Sequence, residues 1–552
     1  MHRVFLYFQK VMITIPLFLG MYSYSIAQDC YWSSHAGGTM EDGAGIIGTD
    51  KDGNVYISGS SHSQYCYFNT DTLLFKQSFF AKYDVTGNEV WIKPFGSSSV
   101  SGSIGVGGIL DTARNIIYAS GYFRDYLSLP DTNLWGVGGT VLVMKMDLDG
   151  NVIWARTGGG EGNDYPFGIT YDEQGNIYIS GSNNQDATFG NITVLAGGFI
   201  AKYDSNGTLL WAKNKFRYSV FGGTEVITHS MRMNMNNLIL SGDIINDTII
   251  VENLIFINPL NQTTGYYNSA FIAAFSQSGD IEWMNLAGGS AGGSGVQMAV
   301  DDSGYMFITG VFNKSGIFGN DTLTVTVGSS DCFLAKYRNN GELIWVTHLN
   351  TSAGANGDGV VADGSGGVYL TGRFLGTVIF GNDTSTAWPY FAMFLAHYSS
   401  EGFCEGMRQY TSGQIAHFCI DNTGNIYLAG SFENTLTIGP NTFTSYGDDD
   451  LFVAKCSAIA GIEEKAKPKQ PQLLIYANPN TGKCKINLPD DFRNEKNILL
   501  QIFDCQGKMI QKIPIEVSVE KIGVDISEEA KGIYLVILSN GKKNYSGTII
   551  SE

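Results

Sequence analysis

Charge is scarce in this 552-residue chain: Asp, Glu, Lys and Arg make up 16% of it, against about 25% in an ordinary globular protein. Basic residues are the scarcer kind, 34 against 52 acidic, for a net charge of −18. A chain so short of Lys and Arg lacks the basic surface that phosphates require, which argues against a nucleic-acid binder. Cysteine is also sparse, with 8 residues, too few to be the main scaffold. Beyond the N-terminus no apolar run reaches the ~20 residues needed to span a bilayer as a helix. Catalytic signatures are missing as well. There is no His-Glu-x-x-His, no Walker loop and no paired-cysteine zinc spacing. Gly288-x-Ser290-x-Gly292 has the spacing of a hydrolase elbow but sits in a Gly-rich loop, without the strand-to-helix context. Sialidase-type Asp boxes place Gly two residues after Asp, whereas the spacing here is three.

Glycine is abundant, with 69 residues, and Phe and Tyr supply 32 and 29. Low charge, many glycines and many aromatics describe a turn-rich β protein. His2, Arg3 and Lys10, the apolar run 11–22 and the small-x-small site Ser25-Ile26-Ala27 read as a secretory signal over 1–27. Residues 457–472, with Glu463, Glu464, three lysines and two prolines, read as a linker. The tail from Leu473 is neutral, so the acidity belongs to the body, 28–456.

The body repeats itself seven times. One unit is plainest at 50–59, Asp-Lys-Asp-Gly-Asn-Val-Tyr-Ile-Ser-Gly, and its closing glycine returns at Gly121, Gly181, Gly242, Gly310, Gly372 and Gly430. A second module follows each copy, as at 80–91, Phe-Ala-Lys-Tyr-Asp-Val-Thr-Gly-Asn-Glu-Val-Trp. Apolar alternation on both sides of Asp-x-x-Gly is a β-hairpin signal, so each unit supplies two hairpins, or four strands. A variable stretch between them, often Phe-Gly-Asn, is expected to add a short hairpin or loop. Four antiparallel strands repeated seven times predict a seven-bladed β-propeller.

The ends of the body sharpen this. The seventh unit stops at Cys456, before its Trp strand. The mature chain opens with a lone Trp strand, Cys30-Tyr-Trp32. Pairing the two closes a ring and removes free sheet edges. The six motif tryptophans, Trp32, Trp91, Trp154, Trp211, Trp283 and Trp345, are expected to pack between blades. The sixth copy carries Gly406 where Trp is expected. Cys30 lies two residues before Trp32, as Glu89 lies before Trp91. Cys456 follows Ala454-Lys455, as Tyr83 follows Ala81-Lys82. Tyr83 and Glu89 flank one turn, so the register predicts a Cys30–Cys456 disulfide stapling the ring.

These double modules resemble the bacterial SBBP-type β-propeller repeats, a likeness that implies a fold and no catalytic set. In the tail, Asn478-Pro479-x-x-Gly482-Lys, Asp504-x-x-Gly507-Lys and Lys531-Gly532-Ile-Tyr534 precede a terminal strand. This order resembles the C-terminal sorting domain of type IX secretion substrates in the Bacteroidetes. It implies a small antiparallel β-sandwich over 473–552, handled by the type IX secretion machinery, and a protein secreted or held at the outer cell surface. The expected function is non-catalytic binding of a glycan or protein, with no cofactor. A quinone-dependent or hydrolytic propeller enzyme is the competing class, since the Asp84-to-Trp91 phrase resembles the Trp-docking turns of quinoproteins. A structural surface component is a third. The acidic turns at Asp147, Asp149 and Asn151 and at Asp448, Asp449 and Asp450 are the places where Ca²⁺ is conceivable.

Overall fold

The computed structural model describes residues 30–459 and 473–551, apart from internal stretches of which the longest are 97–106, 218–224, 258–267, 493–497 and 516–520. The signal segment 1–27 and most of the linker lie outside the described residues, as do Asn478, Pro479, Cys505 and Gly507 in the tail and Ser290 and Gly292 of the elbow-like loop. The chain divides into two compact units, Met1–Ile459 and Ala460–Glu552. Both are built of antiparallel strands, with no α-helix among the described residues.

The first unit contains seven four-stranded antiparallel cores. In the first, Asp42–Thr49, Val55–Ser61, Gln77–Tyr83 and Glu89–Phe95 follow one another across the sheet. The seventh takes Gln414–Ile420, Ile426–Phe432 and Asp450–Cys456 and receives Cys30–Ala36 as its outer strand. The leading strands of the seven sheets touch in a closed cycle: Asp42–Thr49, Gly107–Asp111, Asp164–Tyr171, Glu225–Asn234, Ser294–Val300, Gly354–Ala362, Gln414–Ile420, then Asp42–Thr49 again. No single sheet closes on itself; the ring is made of sheets.

The middle strands show why these residues form them. Ile177–Asn183 is buried along almost its whole length, because a neighbouring sheet covers each of its faces. Such a strand reads as a continuous apolar and aromatic run rather than an alternating one. The core accordingly lies in layers between sheets. Tyr118, Val141, Val143 and Trp154 of the second sheet pack with Ile177, Ile179 and Phe199 of the third. The turns are closed by their aspartates. Asp172 accepts bonds from the Gln174 N–H at 3.0 Å and the Asn176 N–H at 2.8 Å. Its other oxygen accepts from the Asn176 side chain at 2.8 Å and the Tyr178 hydroxyl at 3.0 Å.

The tryptophans join one sheet to the next. Trp154, on the outer strand of the second sheet, donates its indole N–H to the Ser205 carbonyl in a turn of the third, at 3.2 Å. Gly207 in that turn has φ +78°, and a Cβ there would lie 2.7 Å from the Trp154 ring. Only glycine accepts both that backbone and that approach. The same docking puts Trp32 on the turn of Gly87, Trp91 on Gly150, Trp211 on Gly279, Trp283 on Gly341 and Trp345 on Gly402. Gly406 breaks the series for a physical reason. The seventh sheet has no such turn, since its last two strands come from distant parts of the chain. Ile459 fills the place instead, 2.8 Å from where a Gly406 Cβ would stand, and Arg408 bonds the Ser457 and Ala458 carbonyls at 2.7 and 2.8 Å. The compact body therefore runs to Ile459, three residues past the boundary expected from composition.

The variable stretches form short hairpins, and several cap the edge of the preceding sheet. The hairpin beginning Ala187–Phe189 pairs with Val152–Gly159, that beginning Thr248–Val251 with Leu209–Arg217, and that beginning Ser315–Phe318 with Ile281–Gly289. This occupies edges that would otherwise invite association.

The second unit has a three-stranded and a four-stranded antiparallel sheet sharing one apolar core that includes Ile486, Leu500, Ile502, Ile522 and Val536. Gly482 leads into the strand Lys483–Asn487 at φ +91°. Asp504 accepts the Lys508 N–H at 2.9 Å, closing its turn. Lys531 and Gly532 are exposed at the start of the strand Gly532–Ser539, whose buried Tyr534 donates to the Ala530 carbonyl.

Cys30 and Cys456 are cross-strand partners joined by a disulfide spanning 426 residues of sequence. We expect Cys456→Ser to cost about 2–4 kcal/mol of stability in the oxidised protein. Urea denaturation of both proteins, with and without reductant, measures it. Equal midpoints for the oxidised wild type and the variant would show that noncovalent pairing alone holds the ring.

Candidate functional site

Three histidines of the body pair with buried or half-buried aspartates. His229 contacts Asp243 at 2.8 Å, His348 contacts Asp331 at 2.7 Å, and His397 contacts Asp363 at 2.9 Å. These pairs lie in the fourth, fifth and sixth sheets and do not converge. Two have structural duties, since Asp331 also accepts the Asn350 N–H at 2.6 Å and Asp363 caps its own hairpin through Ser365 and Gly367. Burial pushes the thiols of Cys404 and Cys419 up to about 11 and about 12, and those of Cys66, Cys332 and Cys484 upward as well. None of these five is a thiolate nucleophile at neutral pH. Among the described residues no three His, Cys, Asp or Glu side chains form a metal-binding group. Asp147 spends one oxygen on the N–H groups of Asp149 and Asn151, at 3.0 and 2.8 Å, and the other on the Asn151 side chain at 2.9 Å. Asp449 accepts the Ser431 hydroxyl at 3.1 Å.

Two concave regions stand out in the body. A cleft of about 760 Å³ lies between turns of the fifth and sixth sheets, lined in part by Asp301, Lys336, Arg338, Ser365 and Glu401. Lys336 is not free there, since its ammonium donates to the Gly366 and Ser400 carbonyls at 2.9 and 3.3 Å. A second cavity, about 390 Å³, has walls drawn from the leading strands of all seven sheets.

A third feature is a ring-stacked surface at the seam where the N-terminal strand completes the seventh sheet. His35 comes from that strand. Tyr65 and Tyr67 come from the first sheet's short hairpin, and Tyr446 follows the strand Asn441–Thr444 of the seventh repeat. His35 stacks on Tyr446 at 5.5 Å and on Phe443 at 4.6 Å. Tyr446 meets the edge of Tyr67 at 5.9 Å, and Tyr67 stacks on Tyr65 at 6.3 Å. Burial lowers the His35 pKa, so its ring is neutral at pH 7. Tyr65, Tyr67 and Tyr446 remain 44%, 47% and 54% exposed. These rings form a contiguous aromatic patch left in water at the seam.

Beneath the platform lies an unusual carboxyl. Asp450 is fully buried and accepts the Tyr446 N–H at 3.0 Å, which fixes the loop carrying that ring. Nearby Asp42 is also buried and accepts from the Ser63 hydroxyl at 2.8 Å and the His62 N–H at 3.1 Å. Burial, aided by Asp42 and Asp449, pushes the Asp450 carboxyl up to about 7.

The structure therefore brings Trp32, Cys30 and Cys456 to the seam where the platform lies, and spreads the other five motif tryptophans around the ring. None of the platform residues was singled out by sequence. His35, Tyr67 and Tyr446 are separated by up to four hundred positions and carry no shared motif.

Comparison with known proteins assigns one segment. Residues 474–552 match the secretion system C-terminal sorting domain. A type IX sorting domain identifies the protein as secreted or displayed at the cell surface. An uncharacterized WD repeat-containing protein of Acanthamoeba polyphaga mimivirus is 20% identical over 437 residues, covering 65% of this chain and 31% of that relative. The chain thus spans about a third of that relative's length. Among solved structures, the Dos1 propeller aligns over 76% of this chain and 94% of its own, at 9% identity and a TM-score of 0.40. A DUF4221 family member from Bacteroides vulgatus aligns over 78% and 98%, at 10% identity and a TM-score of 0.29. Likenesses at this level assign no activity.

The raised Asp450 carboxyl has a signed consequence for stability. Unfolded, the group titrates at its ordinary value of 3.8; folded, at about 7. Between those values the folded protein holds a proton that the unfolded chain has lost, so stability falls as pH rises through the window. The loss is on the order of 2–4 kcal/mol. Asp450→Asn, which mimics the protonated acid, is expected to raise the melting temperature at pH 8 and leave it nearly unchanged at pH 4. Calorimetry at both values tests this; an equal effect at each would remove the titration from the account.

Proposed function

We propose that this protein is a surface-displayed or secreted binding protein, its body a seven-bladed β-propeller of the SBBP type and its tail a β-sandwich sorting domain. The platform of His35, Tyr65, Tyr67 and Tyr446 is its contact surface for an extracellular glycan. The observation that carries this reading is the exposure of three tyrosines in ring contact at one seam, Tyr65 stacked on Tyr67 and Tyr67 edge-on to Tyr446. A sugar ring presents a flat face of C–H groups, which an aromatic face covers without ordering a flexible side chain. Tyr hydroxyls at the rim add hydrogen bonds. A protein ligand on the same aromatic faces is the second form of this reading.

The sorting tail supports delivery by the type IX machinery, with the body as passenger. Removing 473–552 is expected to leave a folded body that no longer reaches the outside. Fractionation of cells expressing the truncated chain, probed with an antibody to the body, checks this. Truncated protein at the surface at normal levels would disprove the role of the tail.

For the platform, the exported protein is screened on a glycan array and the strongest ligand is titrated by calorimetry. Tyr67→Ala and Tyr446→Ala are each expected to weaken binding by about 1–2 kcal/mol, within the range for one aromatic contact. Tyr390→Ala, which removes an exposed ring elsewhere on the body, is expected to change nothing. Undiminished binding in both platform variants would move the contact surface to another part of the ring.

A further inference from the structure

The central cavity holds a charge that the chain does not neutralise. Several sheltered cations of the body have anionic partners, and the buried Lys336 has two carbonyls instead. Lys215 meets Glu252 at 2.6 Å, Arg373 meets Asp358 at 3.0 Å and Lys202 meets Asp172 at 3.6 Å. Arg232, on the fourth leading strand, does not. Its one hydrogen bond to the protein runs from Nη1 to the Met231 carbonyl, 2.9 Å away, and among the described residues no carboxylate reaches ion-pair distance. A guanidinium has five donors in a planar fork, and among the described residues only one of them finds an acceptor. Burial pulls the Arg232 pKa below its ordinary value, with no opposing carboxylate to restore it.

The surroundings define what this charge is suited to hold. Arg232 shares the wall of the 390 Å³ cavity with Ile109, Phe167, Met233 and Val361, apolar side chains that keep part of their surface open to the lumen. His417, from the seventh leading strand, presents its ring to the same lumen. His417 is open to the lumen but enclosed by the surrounding sheets, and that enclosure with the Arg232 charge holds it down to about 4, so it adds no second charge at pH 7. His229 is engaged by Asp243 at 2.8 Å. The lumen thus offers one unpaired planar cation, one neutral imidazole and apolar walls, in a volume within the roughly 300–1,000 Å³ range of small-ligand sites.

We propose that the central cavity binds a small organic carboxylate with an apolar body, its carboxylate seated in the Arg232 fork and its body against Ile109, Phe167, Met233 and Val361. A carboxylate matches the fork with two parallel N–H···O bonds. It also supplies the counter-charge whose absence makes the unliganded site costly. His417 is placed to hydrogen-bond the ligand's polar end. This site is distinct from the aromatic platform, and either stands if the other fails.

Sodium hexanoate is the probe, with 1-hexanol, sodium phosphate and sodium chloride as controls, measured by thermal shift and calorimetry on the full exported protein. Hexanoate is expected to bind saturably and raise the melting temperature, and the three controls are not. Arg232→Met is expected to weaken hexanoate at least about tenfold, the loss of a charge-assisted bidentate pair. The same substitution is expected to leave the melting temperature without ligand unchanged or slightly raised, because it removes a half-buried cation that has no counter-charge among the described residues. Arg232→Lys keeps the charge and loses the fork, and is expected to bind more weakly than wild type while folding normally. It carries the test should Arg232→Met fail to fold. The proposal is overturned if hexanoate does not bind, if phosphate or hexanol binds equally well, or if the arginine variants that fold bind hexanoate like the wild type.

Discussion

The first unit depends on a contact repeated from sheet to sheet: an indole laid over the turn of the next sheet. A four-stranded meander is apolar on both faces and cannot stand alone. Each Trp covers a neighbour's glycine, and where an N–H···O=C bond to the turn is made, as from Trp154 to Ser205, it fixes orientation as well as distance. The rule is strict enough to explain its exception. Gly406 replaces Trp where the next sheet has no turn to cover, and Ile459 with the Arg408 bonds takes over. Insertion hairpins add a second tie by pairing with the outer strand of the sheet before them. Neighbouring sheets are therefore held by apolar layers, indole docking and, at several seams, backbone hydrogen bonds.

Electrostatics follows the same geometry. Most of the acidic excess does local work, because an Asp that begins a hairpin is neutralised by N–H donors of its own turn. That is why the Asp421 carboxyl, bonded by Thr423 and Asn425, stays down at about 2 despite partial burial. Away from turns the same residue type behaves differently. Asp164 receives one backbone bond, from Gly160, and burial raises it to about 6. Two of the least compensated charged groups among the described residues lie where the ring is most distinctive: Asp450 at the closing seam, with one backbone bond, and Arg232 in the lumen.

Much of the body was legible in the sequence because its cues are local and repeated. Asp-x-x-Gly marks a hairpin wherever it stands, and register counted from Trp91 and Tyr83 carries over to Trp32 and Cys456 without knowledge of tertiary structure. Seven copies let weak signals reinforce one another. The functional surfaces had no such help. Tyr65, Tyr67, His35 and Tyr446 lie in the variable stretches and at the chain start, outside the repeat, and meet only because the ring closes. Arg232 sits in a degraded repeat, where the Met-Arg-Met-Asn run gave no motif, and its isolation is a property of six other strands. The edge-capping role of the inserted hairpins was hidden for the same reason: pairing with a preceding sheet leaves no mark on the hairpin itself.

The bond between Cys30 and Cys456 also governs how the body responds to force. A pull applied at residue 29 against residue 457 runs from one cysteine to the other through two sulfurs. The chain between them, a sequence separation of 426, is bypassed and contributes no extensible length. Under tension the body is then a rigid link, not a spring. In its reduced form the same pull would shear or peel one strand, Cys30–Ala36, from the seventh sheet, exposing the edge of Asp450–Cys456 and separating His35 from Tyr446. Redox state thus sets both the contour length the chain can release and whether the seam survives a load.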